Sequence, residues 1–292
     1  MPELPEVEVV RRDLDPLLTG RTIARIDVNR DRSVRREPSA AAFAAAVTGR
    51  VVTSIGRVGK FLVVHLAPPG EAVVVHLGMS GQWRVADPGT PRPAHTHVVW
   101  SLDDGREVRF VDPRTFGQMF RSPVRPADGA SGPLGVSRPE ALVHLGPDAL
   151  TELTREAFAA ATAGRRVVLK RRLMDQTALA GLGNIYSDEI LFRAAVAGSR
   201  PAGSLDASEI EHLVVACERV LTEAIAARGS TLSDEQFVDG HGRPGRYQEQ
   251  HAVHARAGLP CRRCATLVVR ERYGARSGYR CPSCQPLPSL RS

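Results

Sequence analysis

Hydrophobic and polar positions divide the 292-residue chain into two regimes separated by a patternless stretch. Over the first twenty residues apolar side chains recur at Val10, Leu14 and Leu17/Leu18 until Gly20, the spacing of one buried helical face. Pro2 and Glu3 suit the first turn of that helix, because proline lacks only a donor that would be orphaned there and a carboxylate complements the helix dipole. The period then changes to that of strands. VVTSI (51–55), KFLVVHL (60–66), AVVVHL (72–77), HVVWSL (97–102) and EVRFV (107–111) are short and rich in β-branched residues, with APPGEA and LDDGRE as hairpin turns between them. Such a series predicts a β-sandwich or barrel. SPVRPADGASGPLGVSRP (122–139) has proline, glycine and serine but no apolar period, which marks a linker or hinge.

Beyond the linker the pattern turns helical, in LTREAFAAATAG, VVLKRRLMDQ, NIYSDEILFRAAVAG and SLDASEIEHLVVACERVLTEAIAARG. The last has Asp206 and Glu209 in capping-box spacing, an apolar stripe at Ile210, Leu213, Val214, Cys217, Leu221 and Ile225, and Gly229 as its stop. Cys217 lies on that stripe and reads as a core residue. Residues 230–258 are polar and without period, so they read as a long loop, and loops of that length are more often functional or mobile than idle. The expected class is α+β, an N-terminal helix plus β-sandwich domain followed by a helical C-terminal domain.

Composition adds bounds. Hydrophobic content of 42% with 24% charge is ordinary for a soluble globular chain, and the length suggests two domains. No run approaches the roughly 18 to 20 apolar residues of a membrane span, and the N-terminus lacks the regions of a signal peptide, so the expected location is cytoplasmic with no membrane partner. Charge changes the picture more. The net charge is +7, and residues 229–292 hold ten arginines against five acids, a surplus of five in the last 64 residues. That asymmetry fits either a solvated face or a nucleic-acid contact. Of 39 basic residues only Lys60 and Lys170 are lysine, which reflects either chance survival or positions where a compact, rotatable ammonium is needed in place of arginine's planar fork.

The strongest chemical signal is Cys261-x2-Cys264 with Cys281-x2-Cys284, sixteen residues between the pairs. Four thiolates in two close pairs supply the closed sulfur shell that structural zinc prefers. Disulfides are disfavoured in a cytoplasmic chain, and the loop spacing fits an iron–sulfur site less well. Between the pairs, TLVVRERYGARSGYR reads as a β-hairpin with Arg276 near its turn, a small basic element that a metal would hold rigid. AGLGNIYSDE (180–189) places glycines before Asn184 and a helix after them, whose exposed N–H groups would suit a phosphate; a close helix–helix turn explains the same glycines.

PELPEVE at the N-terminus, RVGKFL around Lys60, HLGMSG (76–81), DPRTFG (112–117), LMDQTALAGLGNIYSDEILF (173–192) and the four-cysteine hairpin occur in that order. Over nearly the whole chain this resembles the formamidopyrimidine-DNA glycosylase family. The resemblance implies a catalytic β-sandwich domain over 1–121, a linker over 122–139, a helix-two-turns-helix domain over 140–250 with a lesion-recognition loop at 229–250, and a zinc-finger hairpin over 251–292. It implies a bifunctional glycosylase and abasic-site lyase of base excision repair, removing oxidised purines such as 8-oxoguanine and formamidopyrimidines from double-stranded DNA, acting as a monomer with one structural Zn2+ and no organic cofactor.

The resemblance also assigns residues. Pro2, once Met1 is removed, is the nucleophile, and its secondary amine has an ordinary pKa near ~8 that leaves a useful neutral fraction. Glu3 is the general acid/base, and Glu6 a second carboxylate tying the N-terminal helix to the helical domain. Glu8 has no assigned role and reads as a solvated helix residue. Lys60 and His76 contact the DNA backbone; Lys170, just before the LMDQ segment, has no motif assignment and is expected to act similarly to Lys60. Met79, Arg114 and Phe116 fill the stack where a nucleotide is extruded, although a plain core role is the ordinary expectation for a methionine and a phenylalanine. Asn184 and Arg276 clamp phosphates. Three positions depart from the family pattern: His254 stands where a tyrosine is frequent, Gly278 where a threonine is, and Arg246–Tyr247 where an aromatic pair is. The endonuclease VIII branch, which prefers oxidised pyrimidines, usually begins PEGPE and lacks the full Met, Arg, Phe set. A catalytically silent zinc DNA-binding protein would not need Pro2, Glu3 and Glu6.

Overall fold

The computed structural model describes residues 1–124, 138–232 and 237–287, so most of the expected linker, four residues of the 229–250 loop and the last five residues lie outside the described residues. The described chain groups into two compact units. The first comprises Met1–His144 with Ile225–Gln248, the second Leu145–Ala224 with Glu249–Ser292.

In the first unit, helix α1 (Leu4–Leu18) starts on the N-terminal prolines and ends at Thr19. Two antiparallel four-stranded sheets follow. One has the order β1 (Ile23–Val28), β6 (Thr96–Leu102), β7 (Glu107–Val111), β5 (Gln82–Ala86). The other runs β2 (Val51–Val58), β3 (Phe61–Ala67), β4 (Glu71–His76), β8 (Gln118–Pro123). Period-2 alternation drives their packing: Leu62, Val64 and Leu66 of β3, Val73 and Val75 of β4, and Val108 and Phe110 of β7 all enter one core with Val7, Val10, Leu14 and Leu18 of α1. The Trp83 and Trp100 rings meet edge to face at 5.2 Å within it. This is the expected helix plus β-sandwich.

The five strands and both hairpin turns read from the sequence are present, whereas β1, β5, β8 and helix α2 (Ala40–Val47) are additional. In β1 a register shift between Ile23 and Arg25 breaks the alternation that a sequence pattern relies on. In α2, Ala-rich throughout, only Phe43 and Val47 are buried, and Ser39 caps it by accepting from the Ala42 N–H at 3.0 Å.

The second unit holds α3 (Arg155–Thr162), α4 (Leu169–Leu173), α5 (Asn184–Arg193), all but the last two residues of α6 (Ala207–Ala226) and the hairpin β9 (Val269–Tyr273)/β10 (Arg276–Arg280). The capping box on α6 is formed: Glu209 N–H donates to Asp206 Oδ1 at 2.9 Å and Asp206 N–H to Glu209 Oε2 at 3.0 Å. Cys217 is buried in contact with the Ala149 carbonyl, as its place on the stripe required, and burial pushes its thiol up. Between α4 and α5 the chain makes two turns held by Gln176, whose side chain donates to the carbonyls of Met174 and Leu182 and accepts from the Gly181 N–H. No helix among the described residues is long and apolar enough to cross a membrane.

Candidate active site and nucleic-acid interface

The N-terminal carboxylates are buried. Pro2 is enclosed while Met1 is 44% exposed, and Glu3 and Glu6 are nearly inaccessible. Glu6 uses both oxygens: Oε2 accepts from the Glu3 N–H at 2.8 Å, capping its own helix, and Oε1 accepts from the Ser230 N–H at 2.7 Å. Gly229 makes the second bond possible, since at φ +78° a Cβ there would lie 2.8 Å from Glu6 Oε1. The start of the 229–250 loop is thus fixed to the head of α1 within the first unit.

Lys60 lies in the turn directly before β3 and is buried, and His76 closes β4 directly opposite Phe61, their rings 4.8 Å apart. Burial, with the charges of Lys60 and Arg35, holds the His76 imidazole down at about 4. It is therefore neutral at physiological pH. Its Nδ1 accepts from the Gly78 N–H at 3.1 Å, which leaves the proton on Nε2 as a donor.

The loops HLGMSG and DPRTFG are locked together. Ser80 Oγ donates to Asp112 Oδ1 at 2.5 Å and accepts from the Arg114 N–H at 3.1 Å, and Asp112 Oδ2 accepts from the Gly117 N–H at 2.7 Å. Gly78 packs so tightly that a Cβ would lie 2.5 Å from the Gly117 nitrogen. From behind, Arg35 donates to the carbonyls of Gly117 at 2.9 Å and Phe116 at 3.2 Å, and Arg32 to that of Thr115 at 3.1 Å. On this rigid base Phe116 is 43% exposed, the Arg114 guanidinium stands 5.3 Å from its ring, and Met79 is half-buried. The core role ordinarily expected of Met79 and Phe116 does not hold.

The four cysteines of the hairpin converge. Their sulfurs all lie within 4.8 Å of one another, with Cys264 to Cys281 and Cys264 to Cys284 at 3.4 Å and Cys261 to Cys284 at 3.9 Å. Four metal–thiolate bonds of about 2.3 Å in a tetrahedron would set the sulfurs about 3.8 Å apart, so this cluster could hold a metal ion. The N–H groups of Arg263 and Cys284 point at the sulfurs of Cys261 and Cys281, each at 3.4 Å, and would stabilise thiolate charge there.

Comparison with known proteins decides the family. A model described as the formamidopyrimidine-DNA glycosylase N-terminal domain matches residues 1–119, and one described as the formamidopyrimidine-DNA glycosylase H2TH domain matches residues 145–236. The chain belongs to the formamidopyrimidine-DNA glycosylase family. It is 41% identical over 301 residues to the formamidopyrimidine-DNA glycosylase of Nocardia farcinica, each covered in full. Its fold is similar to that of MutM (Fpg) from Thermus thermophilus, with TM-score 0.81, 40% identity, and 97% of this chain and 98% of that one covered. It is also similar to Lactococcus lactis Fpg (MutM) in complex with a Fapy-dG containing DNA, with TM-score 0.81, 26% identity and coverage of 98% and 100%.

Against the family pattern, the second unit explains two departures and corrects one expectation. Lys170, expected as a basic DNA contact, is fully buried. Its ammonium pairs with Asp188, donates to the Asn184 carbonyl at 3.3 Å and lies 5.5 Å from the Tyr273 ring centroid. A cation with no exposed surface cannot reach a phosphate; here it joins α4 to α5. Gly278 leaves room for it, because a Cβ there would lie 2.8 Å from Lys170 Nζ. His254 bonds through Nδ1 to the other oxygen of Asp188 at 2.8 Å, and its ring meets Tyr279 edge-on at 5.1 Å. Tyr247 is buried and Arg246 exposed. Asn184 is the first residue of α5, and its buried Oδ1 has no hydrogen-bond partner among the described residues. Arg276 is exposed beside the hairpin turn, opposite Tyr273.

Glu8 is the second correction. Far from solvated, its side chain is 7% exposed and binds Arg11, Arg12 and Arg57. The reason is geometric: Glu8 lies on the face of α1 that packs against β2. Burial alone would raise its pKa, but the Arg11 hydrogen bonds, the charges of Arg57 and Arg11 and the Arg12 hydrogen bond hold the carboxyl at about 2, from an ordinary 4.5. A depressed folded value contributes stability that is complete above about 4.5 and lost as pH falls toward about 2, on the order of 3 kcal/mol in all. Urea unfolding between pH 6 and 2.5 should show that decline in the unmodified chain and a shallower one in Glu8→Gln. Equal slopes would remove Glu8 as its cause.

Neither Arg35, Asp112, Ser80, Ser230 nor Arg57 was singled out from the sequence. Ser80, Asp112 and Arg57 lie inside motifs of the resemblance, but nothing in an arginine-rich chain marks Arg35 among 39 basic residues.

Proposed function

We propose that this protein is a bifunctional DNA glycosylase and abasic-site lyase of base excision repair, acting as a monomer in the cytoplasm on oxidised purines in double-stranded DNA. The observation that carries this reading is the wedge: an exposed phenylalanine with an arginine over it, on a loop pinned by Asp112, Ser80 and Arg35. A single exposed apolar side chain is ordinary on a soluble domain; what sets Phe116 apart is the hydrogen-bonded base that holds it out and the guanidinium over its ring. Between base pairs, Phe116 and Met79 would support the stack left open by an extruded nucleotide, while Arg114 hydrogen-bonds the unpaired base opposite.

The covalent chemistry falls to Pro2. With Met1 removed, its nitrogen lone pair bonds to C1′ of the damaged nucleotide, the glycosidic bond breaks, and the electron pair leaves with the base, which takes up a proton. Glu3 delivers a proton to the sugar ring oxygen as the ring opens to a cationic iminium. The iminium acidifies the C2′ proton, whose loss expels the 3′ phosphate, and a second proton loss from C4′ expels the 5′ phosphate. Glu6 keeps the helix head and Ser230 in register. Lys60 and the Nε2–H of His76 bind backbone phosphate near the lesion, and Asn184 and Arg276 clamp phosphates farther away, where they position DNA without reading sequence. One Zn2+ in the four-sulfur cluster would fix the hairpin and take no part in the reaction.

Borohydride trapping on duplexes carrying 8-oxoguanine opposite cytosine, an oxidised pyrimidine or an abasic site tests the reading. Covalent capture is expected on the first and third, with 8-oxoguanine the better base substrate. Absence of any trapped species would refute the lyase, and preference for the pyrimidine would move the chain to the endonuclease VIII branch.

A further inference from the structure

We propose that Glu8 and Arg57 form a positioning pair that sets the helix to which Pro2 and Glu3 are joined against the turn carrying Lys60, and so governs the covalent step. The inference rests on the reading of Pro2 as nucleophile given above. Its basis is a continuous polar link. Arg57 Nε donates to Glu8 Oε2 at 3.1 Å, and its Nη1 donates to the Gly59 carbonyl at 2.9 Å. Gly59, at φ +56°, is the residue before Lys60. One guanidinium therefore bridges α1 to the β2–β3 turn, with its side chain 3% exposed.

Two features argue that this pair orients as well as stabilises. A buried ion pair pays a desolvation cost that well-packed apolar side chains avoid, so packing α1 against β2 does not by itself call for one. Farther along, α1 is already fastened to β2 by Asp15, which accepts from the Ile55 N–H at 2.8 Å, and by Arg11, which donates to the Ile55 carbonyl at 3.4 Å. Those bonds fix the C-terminal half of the helix. Glu8 lies two residues after Glu6, close to the reactive end, and is ionised throughout the working pH range because its carboxyl is held at about 2. The planar fork of Arg57 meets two acceptors at once, which a lysine ammonium on a flexible stem would not hold in the same geometry.

The test uses the full chain and three measurements: the single-turnover trapping rate on an abasic-site duplex at saturating protein, equilibrium affinity for a duplex with a tetrahydrofuran abasic analogue, and the melting temperature. Arg57→Lys is expected to remain folded at the assay temperature, to bind the analogue within about 3-fold of the unmodified chain, and to trap about 10- to 100-fold more slowly, the scale of a displacement near 1 Å. Glu8→Gln should behave alike, and the double variant should lose no more than the worse single one, because the two act as one unit. Should Glu8→Gln fail to fold, Arg57→Lys alone decides. An unchanged saturating rate in folded Arg57→Lys, a rate loss matched by an equal affinity loss, or additive losses in the double variant would each overturn the proposal. Failure of the unmodified chain to trap at all would instead strike the Pro2 reading.

Discussion

Pro2→Gly is expected to lower covalent capture of an abasic-site duplex by on the order of 10³-fold or more, the loss typical of removing a covalent nucleophile. Glycine still offers an amine once Met1 is removed, so the difference lies in its chemistry and placement. A secondary amine condenses directly to a cationic iminium, whereas a primary amine gives a neutral imine that must be protonated before it can draw electrons from the sugar. Placement matters as much. Pro2 is enclosed by the protein, and its ring fixes φ directly before Glu3, whose N–H is held by Glu6. Glycine at that point frees the terminal residue to rotate, and the alignment of lone pair and C1′ is lost. The mass of each preparation must be checked first, because retained Met1 converts the amine to an amide and silences the unmodified chain equally. Capture by Pro2→Gly at the unmodified rate, in protein shown to lack Met1, would sink the assignment of the nucleophile.

What was legible in the sequence followed from how local each signal is. The β3–β4 hairpin, the α6 capping box and the four-cysteine spacing are written in adjacent residues, and all three are formed. The failures have a shared cause in contacts made across the fold. Glu8 looks like a solvated helix residue until β2 brings Arg57 beside it, and Lys170 looks like a surface cation until Asp188, eighteen residues on, takes its charge inside. Scarcity of lysine did mark two unusual positions, but one proved to need an ammonium for packing: beside Gly278 and the Tyr273 ring an arginine head would not fit. The loops carrying Met79, Arg114 and Phe116 lay between these cases. Their motifs were visible, but the hydrogen bonds that hold Phe116 exposed on a fixed base come from Asp112, Ser80 and Arg35, which belong to separate parts of the chain.

The hairpin supplies the other large effect. Cys261→Ala should reduce bound metal from one per chain to near zero and weaken binding to damaged duplex by about 100-fold or more. The physical reason is that, apart from the packing of β10 on α5, the cysteine end of the element has few apolar residues to hold it. Its two five-residue strands pair only with each other, and a two-stranded hairpin alone is marginal in water. The apolar support around the cysteines is Phe192, Val253 and Val268, with Cys261 and Cys281 themselves counted among the buried residues. Structural zinc contributes roughly 10–16 kcal/mol in small domains, so the loss of one ligand in four removes most of what fixes the hairpin. Arg276 then no longer has a defined place from which to meet a phosphate. Affinity should fall at every DNA sequence alike, and the dependence of log affinity on log salt should shallow by about one contact, the signature of a lost phosphate neutralisation. A strong chelator applied to the unmodified chain should reproduce both changes, and restored zinc should reverse them there but not in the variant. Full metal content in Cys261→Ala would remove Cys261 from the ligand set, and unchanged affinity in a metal-free variant would show that the hairpin does not bind DNA.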